Sequence, residues 1–187
     1  MVVIRHGETE WSRTGRHTGW TDLPLDDRGR QQAGELRGRL QGWRFTAVFS
    51  SPLRRALDTC RLAGLAQEPL VRDDLREWNY GRYEGLTTQQ IQAQRPGWSL
   101  WRDGCPEGED AAAVGQRADR VLAEIRSMPG DACVVAHGHL LRVLGARWLG
   151  LAPQEGRHFA LSSAGISVLG FEHEDPVFSS WNVTASS

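Results

Sequence analysis

The stretch Asp131-Ala132-Cys133-Val134-Val135-Ala136-His137-Gly138-His139 joins an unbroken apolar run to two histidines that flank a glycine. A short run without polar alternation fits a strand buried on both faces, as in a parallel sheet. The residues that follow, Gly138–Leu149, read as a helix. The same pairing recurs elsewhere. Met1–Ile4 is apolar and gives way to a polar, glycine-containing stretch from Arg5 to Thr21. Thr46–Phe49 reads as a strand, and after it Ser51 offers an N-cap and Pro52 a first helical position for a helix to about Leu62.

Between these, Ala33, Leu36, Leu40 and Trp43 recur at helical spacing and predict one amphipathic face. Pro69–Val71 reads as a further strand, followed by the polar segment Asp73–Leu86. Helix signals return at Thr87–Gln94 and stop at Pro96-Gly97, and Trp98–Glu109 looks irregular. Val114, Ala118, Val121, Leu122 and Ile125 form an apolar stripe closed by Pro129-Gly130. Gly165–Phe171 and Val177–Val183 read as late strands. Strands alternating with helices, without repeat, linker or composition break, predict one α/β domain with a mostly parallel sheet.

At 187 residues, 40% hydrophobic and 24% charged, the chain can bury a core without disulfides or a structural metal. No apolar run approaches the roughly 20 residues of a membrane span, and Arg5 and His6 stand where a leader would be apolar, so the cytoplasm is expected. All 22 basic residues counted as Lys+Arg are arginine. A lysine-dependent phosphate loop and Schiff-base chemistry are thereby excluded. A net charge of −1 is no footprint of a nucleic-acid binder. Cys60, Cys105 and Cys133 have no paired spacing, so neither a disulfide framework nor a cysteine-rich zinc site is expected. Cys133 reads as a buried hydrophobe, and Cys105 falls in a loop without an assigned role.

Three segments place cationic or imidazole groups directly after a strand: Ile4-Arg5-His6-Gly7-Glu8-Thr9, Ser50-Ser51-Pro52-Leu53-Arg54-Arg55 and Ala136-His137-Gly138-His139. The carboxyl ends of parallel strands face one crevice, so His6, Arg55 and His137 can converge there. Two of the segments also open helices, whose first N–H groups attract anions. Guanidinium and imidazole groups at helix N-termini make a phosphate pocket. Each residue alone has a plainer reading, as a packed histidine or an exposed arginine, and Arg54 competes with Arg55. His137 and His139 as a metal pair lack acidic or cysteine partners at ligand spacing, so no metal is assigned. His17, His158 and His173 read as surface or structural. Glu77 and Glu84 stand equal as candidate carboxylates.

The segment Arg5-His6-Gly7-Glu8-Thr9 resembles the signature of the histidine phosphatase superfamily, in its phosphoglycerate-mutase-like branch. Gly19-Trp20-Thr21-Asp22-Leu23-Pro24-Leu25, Ser50-Ser51-Pro52-Leu53-Arg54-Arg55-Ala56, Leu75-Arg76-Glu77-Trp78-Asn79-Tyr80-Gly81 with Tyr83-Glu84-Gly85, and Ala136-His137-Gly138-His139 extend the likeness over nearly the whole chain. It implies a single domain over residues 1–187, three-layered α/β/α, with a mostly parallel sheet and antiparallel strands late in the chain. His6 would be the nucleophile that becomes a phosphohistidine. Arg5, Arg55 and His137 would hold the phosphoryl oxygens, and Glu77, favoured over Glu84, would donate a proton to the departing alkoxide. Gly7 would let the backbone approach and help fix the His6 tautomer. Ser12, where many relatives carry Asn, together with Thr18, Gly19 and Gly138, would line the substrate, with Tyr80 and His139 at the leaving group. No cofactor is implied.

The segment Trp98-Ser99-Leu100-Trp101-Arg102-Asp103-Gly104-Cys105 is short and has one arginine, where mutases of the family carry a longer insertion with paired basic residues. A phosphatase of small phosphorylated metabolites, sugar phosphates or bisphosphates, is therefore expected, closest in motifs to sedoheptulose-1,7-bisphosphatase-type and related acid phosphatases. A phosphoglycerate mutase, a non-catalytic phospho-ligand binder and a metal hydrolase built on His6, His137 and His139 are the alternatives. A small phosphorylated substrate is the expected partner, with neither nucleic acid nor membrane. Homo-oligomerisation is left open.

Overall fold

In the computed structural model, which describes residues 1–65 and 68–185, the apolar run around Val134 is a strand, β4 (Ala132–Ala136), buried at every position. The other strands are β1 (Val2–Arg5), β2 (Ala47–Ser50), β3 (Leu70–Val71), β5 (Ile166–Glu172) and β6 (Asp175–Val183). They form one sheet in the order β3-β2-β4-β1-β5-β6. β1 to β4 pair in parallel, whereas β5 and β6 run antiparallel. The helices are α1 (Glu10–Arg13), α2 (Asp27–Arg39), α3 (Arg54–Leu62), α4 (Thr88–Gln94), α5 (Leu100–Asp103), α6 (Ala111–Arg126) and α7 (Gly138–Trp148). Among the described residues, no helix is long and apolar enough to cross a membrane.

Strand side chains alternate between faces, and two cores follow. Val2, Ile4, Val48, Cys133 and Val135 pack with Leu36 of α2 and with Ala56 and Cys60 of α3. Val3, Phe49 and Val134 pack with Val114, Ala118, Val121 and Leu122 of α6 and with Leu140, Leu141 and Leu144 of α7. The result is the expected α/β/α sandwich with antiparallel strands late in the chain.

Several local expectations need correction. The α3 N-cap is Leu53, without a side-chain cap bond. The Ser51 hydroxyl accepts from the Leu53 amide at 3.3 Å and lies 2.7 Å from His137 Nε2, so it reaches none of the helical amides. Trp43 lies beyond the end of α2, because the chain turns at Gly42 with φ +88°. It is 37% exposed and stacks on Phe45. The segment Trp98–Glu109 contains one helical turn, α5, and Asp73–Leu86 contains two 3-10 turns, at Asp73–Leu75 and Gly81–Tyr83.

Candidate active site

Register aligns the three strand ends. Arg5 stands opposite Ala136 and Ser50 opposite Val135, and the His6 amide donates to the Ala136 carbonyl at 3.0 Å. His6 and His137 therefore leave neighbouring strands side by side, with ring centroids 5.1 Å apart. The close pass of the β1 loop over α2 requires glycine. A Cβ at Gly7 would stand 2.3 Å from the Gly29 carbonyl oxygen.

His6 Nδ1 lies 2.6 Å from the Gly7 carbonyl oxygen. A carbonyl only accepts, so Nδ1 carries the proton and Nε2 keeps its lone pair. Burial, then Arg55 and Arg5, hold the His6 pKa well below its ordinary value. The side chain is thus a neutral imidazole with a bare nitrogen, the form a nucleophile needs.

A cavity of about 280 Å³ lies over these strand ends. Arg5, His6, Ser12, Thr18, Glu77, Tyr80, Gly138 and His139 line it, each of them expected at the site. Arg5 Nη1 donates to the Leu161 carbonyl at 2.6 Å, but its buried Nε has no partner among the described residues. A buried guanidinium N–H without an acceptor suits a phosphoryl oxygen. Ser12 is engaged in the capping box of α1, where its hydroxyl donates to the Thr9 carbonyl and accepts from the Thr9 amide.

The other four expected residues stand behind the wall. Arg55 is fully buried. Its guanidinium donates to the carbonyls of Thr18, Gly19 and Thr21 and, through Nε, to His137 Nδ1. His137 bonds Ser51 Oγ through Nε2 at 2.7 Å. Gly7 donates its amide to Thr59, and Gly19 donates its amide to Glu84.

The two carboxylates separate here. Glu84 accepts from the amides of Gly19 and Thr21 and anchors that loop. Glu77 faces the cavity and is 5% exposed. Its Oε1 accepts from the Trp78 and Leu140 amides at 2.9 Å each, and its Oε2 from the His139 amide at 3.0 Å. The anion-binding N-terminus of α7 thus holds a protein carboxylate, and Oε2 is the less engaged oxygen. The N-terminus of α3 is met in the same way, by Asp22 on the Arg54 amide.

Tyr80 bonds His139 Nδ1 through its hydroxyl at 2.6 Å. Burial, then Glu77, push the phenol pKa well up, so it stays protonated and donates. His139 Nδ1 accepts, and its Nε2–H has no partner among the described residues. Burial, then Arg142, hold the His139 pKa well below the usual range.

Four contributors were not legible. His17, expected at the surface, lines the cavity. It packs 4.7 Å from the Tyr80 ring, and burial lowers its pKa to about 4. Arg142 lines the cavity as well. Ser51 fixes His137. Arg117, set among the apolar residues of α6, ties the Glu77 loop. It pairs with Glu109 at 2.8 Å and donates to the carbonyls of Asp74 and Arg76. Cys105 is buried, and burial pushes its thiol up to about 12, which disfavours the thiolate. Among the described residues, no cluster of three or more His, Cys, Asp or Glu could hold a metal ion.

The fold is an α/β sandwich that carries a cation-lined pocket at the ends of its parallel strands. Residues 1–184 match the model of the histidine phosphatase superfamily (branch 1). The chain is 47% identical over 178 residues to an acid phosphatase of Mycobacterium tuberculosis, covering 92% of this chain and 87% of that protein. It is 39% identical to the sedoheptulose 1,7-bisphosphatase of Saccharomyces cerevisiae, over 82% of this chain and 69% of the relative. A solved structure of an open reading frame product from Mycobacterium tuberculosis superposes with a TM-score of 0.92 at 42% identity, covering 98% of this chain and 96% of the other. The chain belongs to the histidine phosphatase superfamily, and these two curated relatives are named as phosphatases.

Proposed function

We propose that this phosphatase hydrolyses small phosphorylated metabolites, sugar phosphates or bisphosphates among them, without a metal ion and through a phosphohistidine at His6 Nε2. The observation that carries this reading is the 2.6 Å bond from His6 Nδ1 to Gly7, which leaves Nε2 bare in a cavity that also holds Arg5 and Glu77.

The Nε2 lone pair attacks phosphorus, and the bond from phosphorus to the ester oxygen breaks. Glu77, in its acid form, passes its proton to the departing alkoxide, from Oε2. The resulting carboxylate then takes a proton from water as the water oxygen attacks the phosphohistidine, which releases inorganic phosphate and restores both residues. Arg5 offers its unpartnered Nε–H to the phosphoryl oxygens and offsets charge that a metal would otherwise neutralise. Arg55 and His137 complete the clamp in this reading, His137 by turning its Nε2–H from Ser51 to a phosphoryl oxygen. Ser12, Thr18, Gly7, Gly19 and Gly138 shape the walls, and Tyr80 and His139 meet the leaving group.

Hydrolysis rather than phosphoglycerate mutation is supported by Arg102, the single arginine of the short segment after Trp98. It is exposed, bonded to Asp103 and the Gly97 carbonyl, and absent from the cavity wall. Three free, buried cysteines fit a reducing, cytoplasmic setting. The deciding experiment is a screen of purified protein against sugar phosphates, phosphoglycerates and p-nitrophenyl phosphate, with and without excess chelator. Turnover that survives chelation and releases phosphate is expected. Tight phosphate binding without turnover of any ester would replace the hydrolase reading with a binding one.

A further inference from the structure

Arg142 is a half-buried cation on the wall of the same cavity. It lies on α7 four residues past Gly138, about 6 Å further along the axis. The Arg5 guanidinium packs against Gly138, where an added Cβ would stand 3.4 Å from Arg5 Cζ. The two guanidinium groups therefore mark successive positions along one wall.

Three contacts hold Arg142 in place. Nε donates to the Gly156 carbonyl and Nη2 to the Arg157 carbonyl, each at 3.0 Å, and Cζ lies 4.7 Å from the Trp101 ring centroid. Stacking on an aromatic face fixes the plane of the fork. A guanidinium has five N–H groups. Two are engaged here, and neither Nη1 hydrogen has a protein acceptor among the described residues.

Other partly buried arginines of this chain are met by carboxylates, as Arg72 by Glu124, Arg76 by Asp73 and Arg147 by Asp119. Arg142 has no carboxylate within ion-pair distance among the described residues. The one acidic residue on the cavity wall, Glu77, has both oxygens on backbone amides. Arg5 carries the unpartnered Nε–H that faces the reacting phosphoryl group in the reading above, and Arg16 at the exposed rim adds further positive charge. A partly desolvated cation that is rigidly held and unpaired calls for an anion.

We infer that Arg142 is the centre of a second anion subsite, so that preferred substrates carry an oxyanion, a carboxylate or a second phosphate, on the leaving group. This rests on the phosphatase reading above, which places the reacting phosphoryl group at His6 and Arg5.

The test compares wild type with Arg142→Gln on three esters: glycerol 3-phosphate, 3-phosphoglycerate and fructose 1,6-bisphosphate. The first lacks a second anion, the second adds a carboxylate and the third a phosphate. The ratio of kcat/KM for either doubly anionic ester to that for glycerol 3-phosphate should fall about 10- to 100-fold, mainly through KM. A fall for one of the two alone assigns the subsite to that anion. Equal losses on all three esters overturn the proposal. Arg142→Lys covers the case in which the neutral variant does not fold. It keeps the charge but loses the planar fork against Trp101, and the same ratio should drop severalfold. Calorimetry on His6→Ala protein, titrated with 3-phosphoglycerate and with glycerol 3-phosphate, reads the subsite without turnover. Tighter binding of the phospho-acid that Arg142→Gln removes supports it, and equal binding of the two overturns it, even if no ester is hydrolysed and the phosphatase reading itself has failed.

Discussion

Arg55 Nε donates to His137 Nδ1 at 3.1 Å, and this single bond assigns the tautomer of the second histidine. A guanidinium has no acceptor, so Nδ1 must be bare and Nε2 must carry the proton, which goes to Ser51 Oγ. The two histidines are thus set in opposite tautomers by their neighbours. Gly7 leaves His6 with a free lone pair, and Arg55 leaves His137 with a proton to donate. One arrangement suits attack and the other suits holding an oxyanion.

The nucleophile follows from that assignment. His6→Ala should abolish turnover while the circular dichroism spectrum is kept, because the ring caps no helix and borders the cavity. Wild-type protein quenched during turnover should carry an acid-labile phosphoryl group that the variant lacks. A label found on serine or cysteine would overturn the proposed mechanism.

Arg55 binds four protein acceptors from a fully buried position. Arg55→Ala strips the loop carbonyls of Thr18, Gly19 and Thr21 of their donor as well as the clamp of its charge. Stability should fall by about 3 kcal/mol or more, measured by denaturant unfolding, and efficiency should fall at least 100-fold. Arg55→Lys should recover part of the charge but not the fork. The rise in Tm that inorganic phosphate gives wild type should shrink in both variants, and an undiminished rise would place the clamp elsewhere.

Glu77→Gln separates acid from base by the leaving group. A sugar alkoxide needs a proton as it departs, whereas nitrophenolate leaves without one. Phosphorylation of His6 should therefore slow by about 100- to 10,000-fold with a sugar phosphate and far less with p-nitrophenyl phosphate. Water still lacks its base, so p-nitrophenyl phosphate should give a burst near one equivalent per site and then a slow steady state. Equal slowing of the burst with both substrates would reduce Glu77 to a positioning role.

Four histidines near the cavity have folded pKa values below the ordinary one: His6, His137 and His139 well below it and His17 at about 4. The unfolded chain takes up protons near pH 6.5 where the folded chain does not. Stability should therefore be level for these groups above pH 7 and fall as pH drops from 6.5 toward 4. His17→Gln should make the Tm-against-pH curve less steep across that window. An unchanged slope would mean that His17 takes up its proton equally in the folded and unfolded chain. For the same reason the neutral form of His6 should sustain kcat/KM well below pH 6.5.

Features written in local sterics and periodicity were readable along the chain. The apolar run 132–136, the alternation of strands and helices, and the cationic residues right after strands followed from neighbours in sequence. Parallel strands bring their carboxyl ends together by geometry, so the convergence of His6 and His137 needed no coordinates. The motif likeness chose Glu77, but its reason lay in space, since residues 62 and 63 positions further on supply the amides that hold it. Arg55 was expected at the phosphate, and tertiary packing put three loop carbonyls and His137 around it. Ser51 left its cap, His17 left the surface, and Arg142 and Arg117 acquired roles for the same cause. Each is set by a partner far along the chain, and the energy of such a contact depends on which loops meet over the sheet, a quantity that no local pattern of residues contains.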